Sequence, residues 1–391
     1  MKVLHIEDRF HPGMGYQINF FARYHHPDHS FSILCSDSSR LWTASDDRHD
    51  LKSADKQFDE DFAVSVHRLP SVLDRRTRQN LWLKGLIRAI RKLDPDVLYV
   101  HTLESYSSIR ILLNRKILSK YTVFFDTHTL LSQFRPGLKS SIFKCFFRQV
   151  ASKRIRRYGV KVFATVPENK MILEREYGIS TDHILYTPIG TDLSMFRYDD
   201  AARKAGRQKE NIPENGTLLL YTGKMNFRKN PHLILEAVDL IVERIDQPLF
   251  IYFVGAADAG YKEQYLEREF NQENIHFRLM SAVAVSELYT WYSMADFVVF
   301  PDENTLSALD AQACRLPVIM AADMTNAERL SRGGMTYASG DLQDLSHLIL
   351  EMISDPEKRR SLGTQGETFV RSTYDYRKIV RDMESDLGLF H

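Results

Sequence analysis

Phe297-Val-Val-Phe-Pro-Asp302-Glu-Asn-Thr-Leu-Ser-Ala-Leu-Asp310-Ala-Gln-Ala-Cys314-Arg-Leu-Pro317-Val-Ile-Met-Ala321 is the stretch on which the fold turns. It begins and ends in short runs, Phe297–Phe300 and Val318–Ala321, that are apolar throughout rather than at alternate positions. Such runs suit parallel strands covered on both faces. The residues between them should form a helix. Asp302 closes the first strand. Asp310 lies eight residues further on, a little over two helical turns away. One carboxylate therefore sits at the helix mouth and one deeper. A buried carboxylate needs partners, and the hydroxyls of a sugar or ribose would serve.

The same rhythm extends outward in both directions. Further strand candidates are Val3–Ile6, Phe31–Ser36, Val97–His101, Thr122–Thr127, Lys161–Val166, Ile184–Pro188, Leu218–Thr222 and Leu249–Val254. Helical periods lie between them at Leu81–Leu93, Leu233–Ile245, Ser286–Trp291 and Leu342–Ile353. Asp355-Pro356 reads as an N-cap with proline at the first helical position. Strand–helix alternation predicts an α/β protein with helices on both faces of parallel sheets. At 391 residues, two domains are the default. The charged segment Arg197–Gly216 interrupts the rhythm and reads as a linker. The expected domains are 1–196 and 217–373, with 374–391 crossing back to the first. The Asp/Lys-rich stretch Asp46–Asp61 reads as a solvated loop. Asp59-Glu-Asp61 within it lies away from any strand end and is discounted as a metal site.

Composition excludes several classes. Lys plus Arg is 52 against 51 Asp plus Glu, a net charge of +1, so no general nucleic-acid-binding charge exists. Cys35, Cys145 and Cys314 are odd in number and far apart, which argues against a disulfide framework or zinc site. Their thiols fit a reducing compartment. No secretory pattern is expected at Met1–Ile6, and no apolar run approaches the roughly 18 residues of a spanning helix. These features predict a cytoplasmic protein, soluble or peripheral to the inner face of the membrane. Local charge points to the membrane alternative. The stretch Lys139–Lys161 carries Lys139, Lys144, Arg148, Lys153, Arg154, Arg156, Arg157 and Lys161 without an acid. Ile142, Phe143, Phe146, Phe147 and Val150 recur there at helical spacing. A basic amphipathic helix of this kind can lie on an anionic lipid surface, or pack on its own domain.

In open α/β sheets, ligands gather at the carboxyl ends of strands. The loop after the first strand is His11-Pro-Gly13-Met-Gly15-Tyr16, whose glycines would let backbone N–H groups approach a phosphate. It lacks the third glycine of a dinucleotide fingerprint. The corresponding loop of the second half is Gly223-Lys224-Met-Asn-Phe-Arg228-Lys229-Asn230, a glycine and three cations before a helix. This is a candidate anion site.

Taken in order, these segments resemble family 4 of the retaining glycosyltransferases, with the glycosyltransferase-B fold. His101 and His128 fit strand-end positions. Thr187-Pro-Ile189-Gly-Thr-Asp192 and Phe196 resemble the family's Pro-Asn-Gly-Val-Asp segment. Gly223-Lys224 with Lys229 resembles its Gly-Arg…Lys clamp, and Gly255 its next strand-end glycine. Asp302…Asp310 resembles its Glu-x7-Glu-Ala-x-Ala-x-Gly-x-Pro-Val. Departures are aspartates for both glutamates, Lys224 for arginine, Ile189 for asparagine and Arg315 for glycine.

The resemblance implies two Rossmann-like domains facing across a cleft. It implies metal-free transfer of a sugar, with retention, from a nucleotide-diphosphate sugar to a glycan or lipid-linked acceptor, as in polysaccharide or glycolipid synthesis. No cofactor is implied. Lys224, Lys229 and Arg228 would meet the departing diphosphate, with Gly13, Gly15, Gly223 and Gly255 around the donor. Asp302 or Glu303 would hold the transferred sugar. Asn304, Thr305 and Leu306 would line the donor, and Asp310 would hold ribose. His128 would contact the sugar or phosphate, with His101 and Tyr16 toward the acceptor. An epimerase or phosphorylase of the same fold, or an inactive donor-binding subunit, are the alternatives.

Overall fold

The computed structural model describes residues 1–38, 48–72, 81–131, 137–302 and 305–389. The chain divides into two compact units. Unit 1 comprises Met1–Ile189 with Tyr376–His391, and unit 2 comprises Gly190–Asp375.

Unit 1 is built on a seven-stranded sheet. In chain order its strands are β1 (Lys2–Ile6), β2 (Ser30–Ser36), β3 (Val64–Leu69), β4 (Val97–Val100), β5 (Thr122–Thr127), β6 (Lys161–Ala164) and β7 (Ile184–Tyr186). Their spatial order is β3-β2-β1-β4-β5-β6-β7, and every pair is parallel. Alternate residues of each strand enter separate cores. Leu4, Ile6, Leu98 and Val100 join one core, while Val3, Phe31, Ile33 and Val97 join the other. The helix Tyr376–Asp386 completes the second of these. Tyr376 stacks on Phe20 with ring centroids 4.1 Å apart, and Ile379, Val380 and Met383 are buried.

Unit 2 repeats the plan with six parallel strands. These are β8 (Thr217–Thr222), β9 (Leu249–Val254), β10 (Ile275–Met280), β11 (Phe297–Phe300), β12 (Val318–Ala321) and β13 (Gly334–Tyr337), in the order β10-β9-β8-β11-β12-β13. Both sheets reverse direction beside their first strand, between β1 and β4 and between β8 and β11. A crevice for ligand opens at the carboxyl ends of such a switch point.

Three strands, β3, β10 and β13, escape the apolar-run criterion. All three are sheet edges with partly exposed positions, so their sequences need not be continuously apolar. The stretch expected as a solvated loop is instead largely a helix, Arg48–Phe62. Leu51 and Phe58 supply its buried face, and Asp55 pairs bidentately with Arg68 of β3 at 2.6 Å.

The segment expected as a linker belongs to unit 2 and carries the helix Asp200–Lys209. Two of its charges, Arg203 and Arg207, turn inward. Arg203 bonds the carbonyls of Ser293, Met294 and Ala295, at the end of the helix Leu288–Met294. Arg203 and Arg207 also bracket Asp296 at 2.7 and 3.0 Å. Burial alone would raise the Asp296 carboxyl, but the two guanidiniums outweigh it and hold the group below the usual range.

Candidate functional site

In unit 2 the site forms at the carboxyl ends of β8 and β11. β8 is buried along its whole length, so the chain leaves the sheet abruptly at Gly223. Gly223 donates to Val254 O at 3.0 Å, and Met225 N to Ala256 O at 2.9 Å. The loops after β8 and β9 are thereby clipped together. A Cβ on Gly255 would stand 1.9 Å from the Gly223 carbonyl oxygen. Glycine at 255 is therefore demanded by this close approach of two backbones, before any ligand is considered.

Asn226 organises the cationic turn that follows. Its Oδ1 accepts from the backbone N–H of Arg228 at 3.1 Å and of Lys229 at 3.2 Å. Asn230 closes the turn in the left-handed region, at φ 43°, and donates its backbone N–H to Asn226 O. Such an Asx-type turn fixes which way the lysine leaves the backbone. Lys224 and Arg228 are exposed and Lys229 is half-buried.

Lys229, Asp302, Thr305 and Gly223, with Tyr221, Thr222 and Phe300, line one small recess of about 30 Å³. Asp302 is exposed, and its Oδ2 accepts from Asn230 Nδ2 at 2.8 Å. Sequence reasoning missed Asn230, although it directly follows the cationic turn. Leu306 is 37% exposed and leads into the helix Ser307–Ala313. Glu303 and Asn304 lie outside the described residues.

Asp310 lies on that helix and accepts from Thr191 Oγ1 at 2.6 Å. Burial, with Asp192 nearby, pushes its carboxyl up to about 7 despite this bond. The hydroxyl partner expected of a buried carboxylate thus comes, in this structure, from the chain itself. Thr191 lies in the Thr187–Asp192 segment noted in the sequence, but nothing in its spacing announces the pairing.

In unit 1 the strand ends of β1, β4 and β5 meet around a polar chain. His5 Nδ1 lies 3.1 Å from His101 Nε2, and His101 Nδ1 lies 2.7 Å from Asp126 Oδ2. Asp126 is fully buried, and its Oδ1 accepts from Thr102 N at 2.7 Å. His128 Nε2 stands 3.6 Å from the same oxygen. His101 is 3% exposed with both ring nitrogens engaged, which removes it from direct contact with an acceptor. His128 instead keeps 35% of its side chain exposed. Asp126 was missed in the sequence, since a lone acid near a strand end carries no spacing signal.

The loop between β1 and the helix Gln17–Tyr24 exposes Gly13, Gly15 and Tyr16. Neither glycine has positive φ. A Cβ on Gly15 would meet nothing within 4 Å, so this turn leaves open space above Gly15.

The basic stretch is helical throughout Leu138–Tyr158. Its inner anchors are Phe147, Ala151 and Ile155, while Leu138 and Ile142 are 77% and 61% exposed. The helix Leu138–Phe146 has no fully buried residue, though Phe143 and Phe146 pack partly against the core. Four of its cations are used internally: Lys144 on Glu176, and Arg148, Arg154 and Lys161 on backbone carbonyls. Among the described residues, no helix is long and apolar enough to cross a membrane.

Residues 202–369 match the family described as Glycosyl transferases group 1. A D-inositol 3-phosphate glycosyltransferase of Xylanimonas cellulosilytica is 28% identical over 184 residues, covering 45% of this chain and 43% of that one. The enzyme of the same name from Kineococcus radiotolerans is 24% identical over 272 residues, 62% of each chain. The chain spans about half the length of the curated relatives it matches. Among solved structures, a glycosyltransferase of Rickettsia africae superposes with a TM-score of 0.72 at 15% identity, over 98% of this chain and 97% of that one. HepE of Anabaena in complex with UDP superposes with a TM-score of 0.69 at 15% identity, over the whole of both chains. At these identities the structural likeness is one of fold.

Proposed function

From a chain whose residues 202–369 match the glycosyl transferases group 1 family, and whose fold is glycosyltransferase-B, we propose a hexosyltransferase using a nucleoside-diphosphate sugar. The observation that carries this is the recess after β8 and β11. There a half-buried lysine, a carboxylate and a glycine turn share one small space. A lysine so placed can stabilise charge developing on a departing diphosphate. Lys224 and Arg228 add positive charge around it. Asp302, oriented by Asn230, can accept hydrogen bonds from sugar hydroxyls, and Asp310 offers a second carboxyl beside Thr191.

With three cations available to the leaving group, the chemistry needs no metal; retention at the anomeric carbon is what the resemblance to the retaining family implies. A uridine nucleotide is the first donor to try, because HepE is a fold neighbour with UDP bound. The acceptor is a glycan or a lipid-linked intermediate. The exposed Leu138 and Ile142, set among lysines and arginines, suit docking at an anionic lipid surface. Since the relatives are named for inositol 3-phosphate, a small polyol phosphate belongs in the acceptor panel.

The test is a melting-shift panel of nucleoside-diphosphate sugars, followed by product analysis with each stabilising donor. A selective shift and a glycosylated acceptor are expected. No shift with any nucleotide sugar overturns the proposal. Donor binding without turnover on any acceptor assigns a donor-binding subunit instead. Conversion of donor alone assigns an epimerase.

A further inference from the structure

We propose that Asp126 is a positioning residue that holds His128 as an imidazolium, so that unit 1 presents a fixed cation, not a general base, to an anionic ligand at its own strand ends. The argument begins with hydrogen-bond inventory. His128 Nδ1 lies 3.2 Å from Thr165 Oγ1. That hydroxyl has one proton and two closer acceptors, Asn169 Oδ1 at 2.8 Å and Thr127 O at 3.0 Å. With the proton given to either, the Thr165 oxygen offers His128 only a lone pair, so Nδ1 must carry its own hydrogen. On the other side of the ring, Nε2 faces a carboxylate oxygen of Asp126. A neutral ring protonated on Nδ1 would point one lone pair at another. Protonation of both nitrogens resolves the two contacts together.

The surroundings have the same sign. Asp126 faces His128 from β5, Glu7 from the loop after β1 and Glu104 from the loop after β4. Burial opposes a charge on His128, but these three carboxyls outweigh it and raise its pKa above the ordinary value. Asp126 itself is held well below the usual carboxylate range. Its burial is overcome by His101 and His128. The backbone is bent to serve this arrangement. Thr102, a β-branched residue, adopts φ 63°, a conformation that is costly for such a side chain, and there its N–H meets Asp126 Oδ1. Asp126 therefore bridges two rings, with its second oxygen on His101, which in turn meets the buried His5. The role given to the cation rests on the glycosyl-transfer reading, whereas its charge does not.

The test is histidine ring titration by NMR on the full chain, with His128 assigned through His128→Gln. Wild-type His128 should titrate above about 6.5. In Asp126→Asn it should bind its proton at least about tenfold more weakly, the loss expected when a neighbouring opposite charge is removed. UDP affinity, measured from pH 6 to pH 8.5, should fall with rising pH, and in Asp126→Asn the fall should move to lower pH. A purely structural Asp126 would lower the melting temperature and leave the ring titration in place, which overturns the proposal. If Asp126→Asn does not fold, a wild-type His128 titrating at or below about 6.5 overturns it equally. UDP affinity indifferent to the ring's titration overturns the cation's role toward an anionic ligand. Absence of any UDP binding counts against the uridine-nucleotide reading, while the titration still decides the Asp126 assignment.

Discussion

Lys229, in the loop after β8, and Asp310, on the helix Ser307–Ala313 that follows β11, show how two ionisable residues of one site can have different burdens. Lys229 lines the recess with Asp302 and leaves the backbone from a turn that Asn226 fixes. Its contact with a departing diphosphate would strengthen as charge develops. Lys229→Ala should therefore lower turnover by roughly 10²–10³ while leaving the melting temperature near wild type. Steady-state kinetics with the selected donor checks this, and near-wild-type turnover would remove Lys229 from the clamp. Asp310 carries a stability cost as well as a candidate ligand role. Its carboxyl is raised to about 7, so the folded protein holds a proton there that the unfolded chain releases near 4. Stability from this group must then fall as pH rises from about 4 to about 7. Asp310→Asn keeps an acceptor for Thr191 and removes the titration. Its melting temperature relative to wild type should rise from pH 5 to pH 8, and donor binding should weaken. Unchanged donor affinity would make Asp310 a structural residue only.

Among elements, the helix Leu138–Phe146 stands out because none of its residues is fully buried, although Phe143 and Phe146 pack partly against the core. Helical periodicity alone made Ile142, Phe143, Phe146, Phe147 and Val150 one apolar stripe, equally suited to a core or a membrane. The structure divides it. Phe147 enters the core, while Ile142 projects outward with Leu138. Replacing Leu138 and Ile142 by serine should reduce flotation with anionic vesicles several-fold and leave the fold intact. Equal recovery on neutral and anionic vesicles, for the unaltered protein, would sink membrane docking. The Arg197–Gly216 stretch teaches the converse lesson. Its charge density resembles that of a linker, yet Arg203 and Arg207 spend their guanidiniums on buried carbonyls and on Asp296. Composition cannot distinguish an arginine facing water from one capping a distant helix. Arg315, standing where the resembled family has glycine, does keep the glycine-like backbone at φ 59°, and pairs with Glu367.

At the scale of the whole molecule, each unit has its own buried core, so unfolding should not be a single two-state event. Calorimetry should resolve two transitions. UDP at a hundredfold excess over its Kd should stabilise the unit that binds it by about 2.7 kcal/mol. We expect that to be unit 2. Truncation after Asp375 identifies the other transition. It removes Tyr376, Ile379, Val380 and Met383 from the second core of unit 1. Each such side chain contributes about 1.5–3 kcal/mol, so the loss is comparable with a domain's entire stability. One merged transition, or a UDP effect confined to unit 1, would contradict this division of labour.

By itself the sequence determined the strand–helix alternation and the central strands of both sheets, because strands buried on both faces must be apolar at every position. It also located the glycine and cation turns, since strand ends and their loops are contiguous in the chain. The edge strands β3, β10 and β13 were decided only by tertiary structure, as their half-exposed faces tolerate polar residues. So were the partners of the buried charges: Asp126 with two histidines, Asp310 with Thr191, Asn230 with Asp302. These pairs join residues distant in sequence, and the free energy of burying a charge depends on what folding brings beside it, which no local pattern encodes.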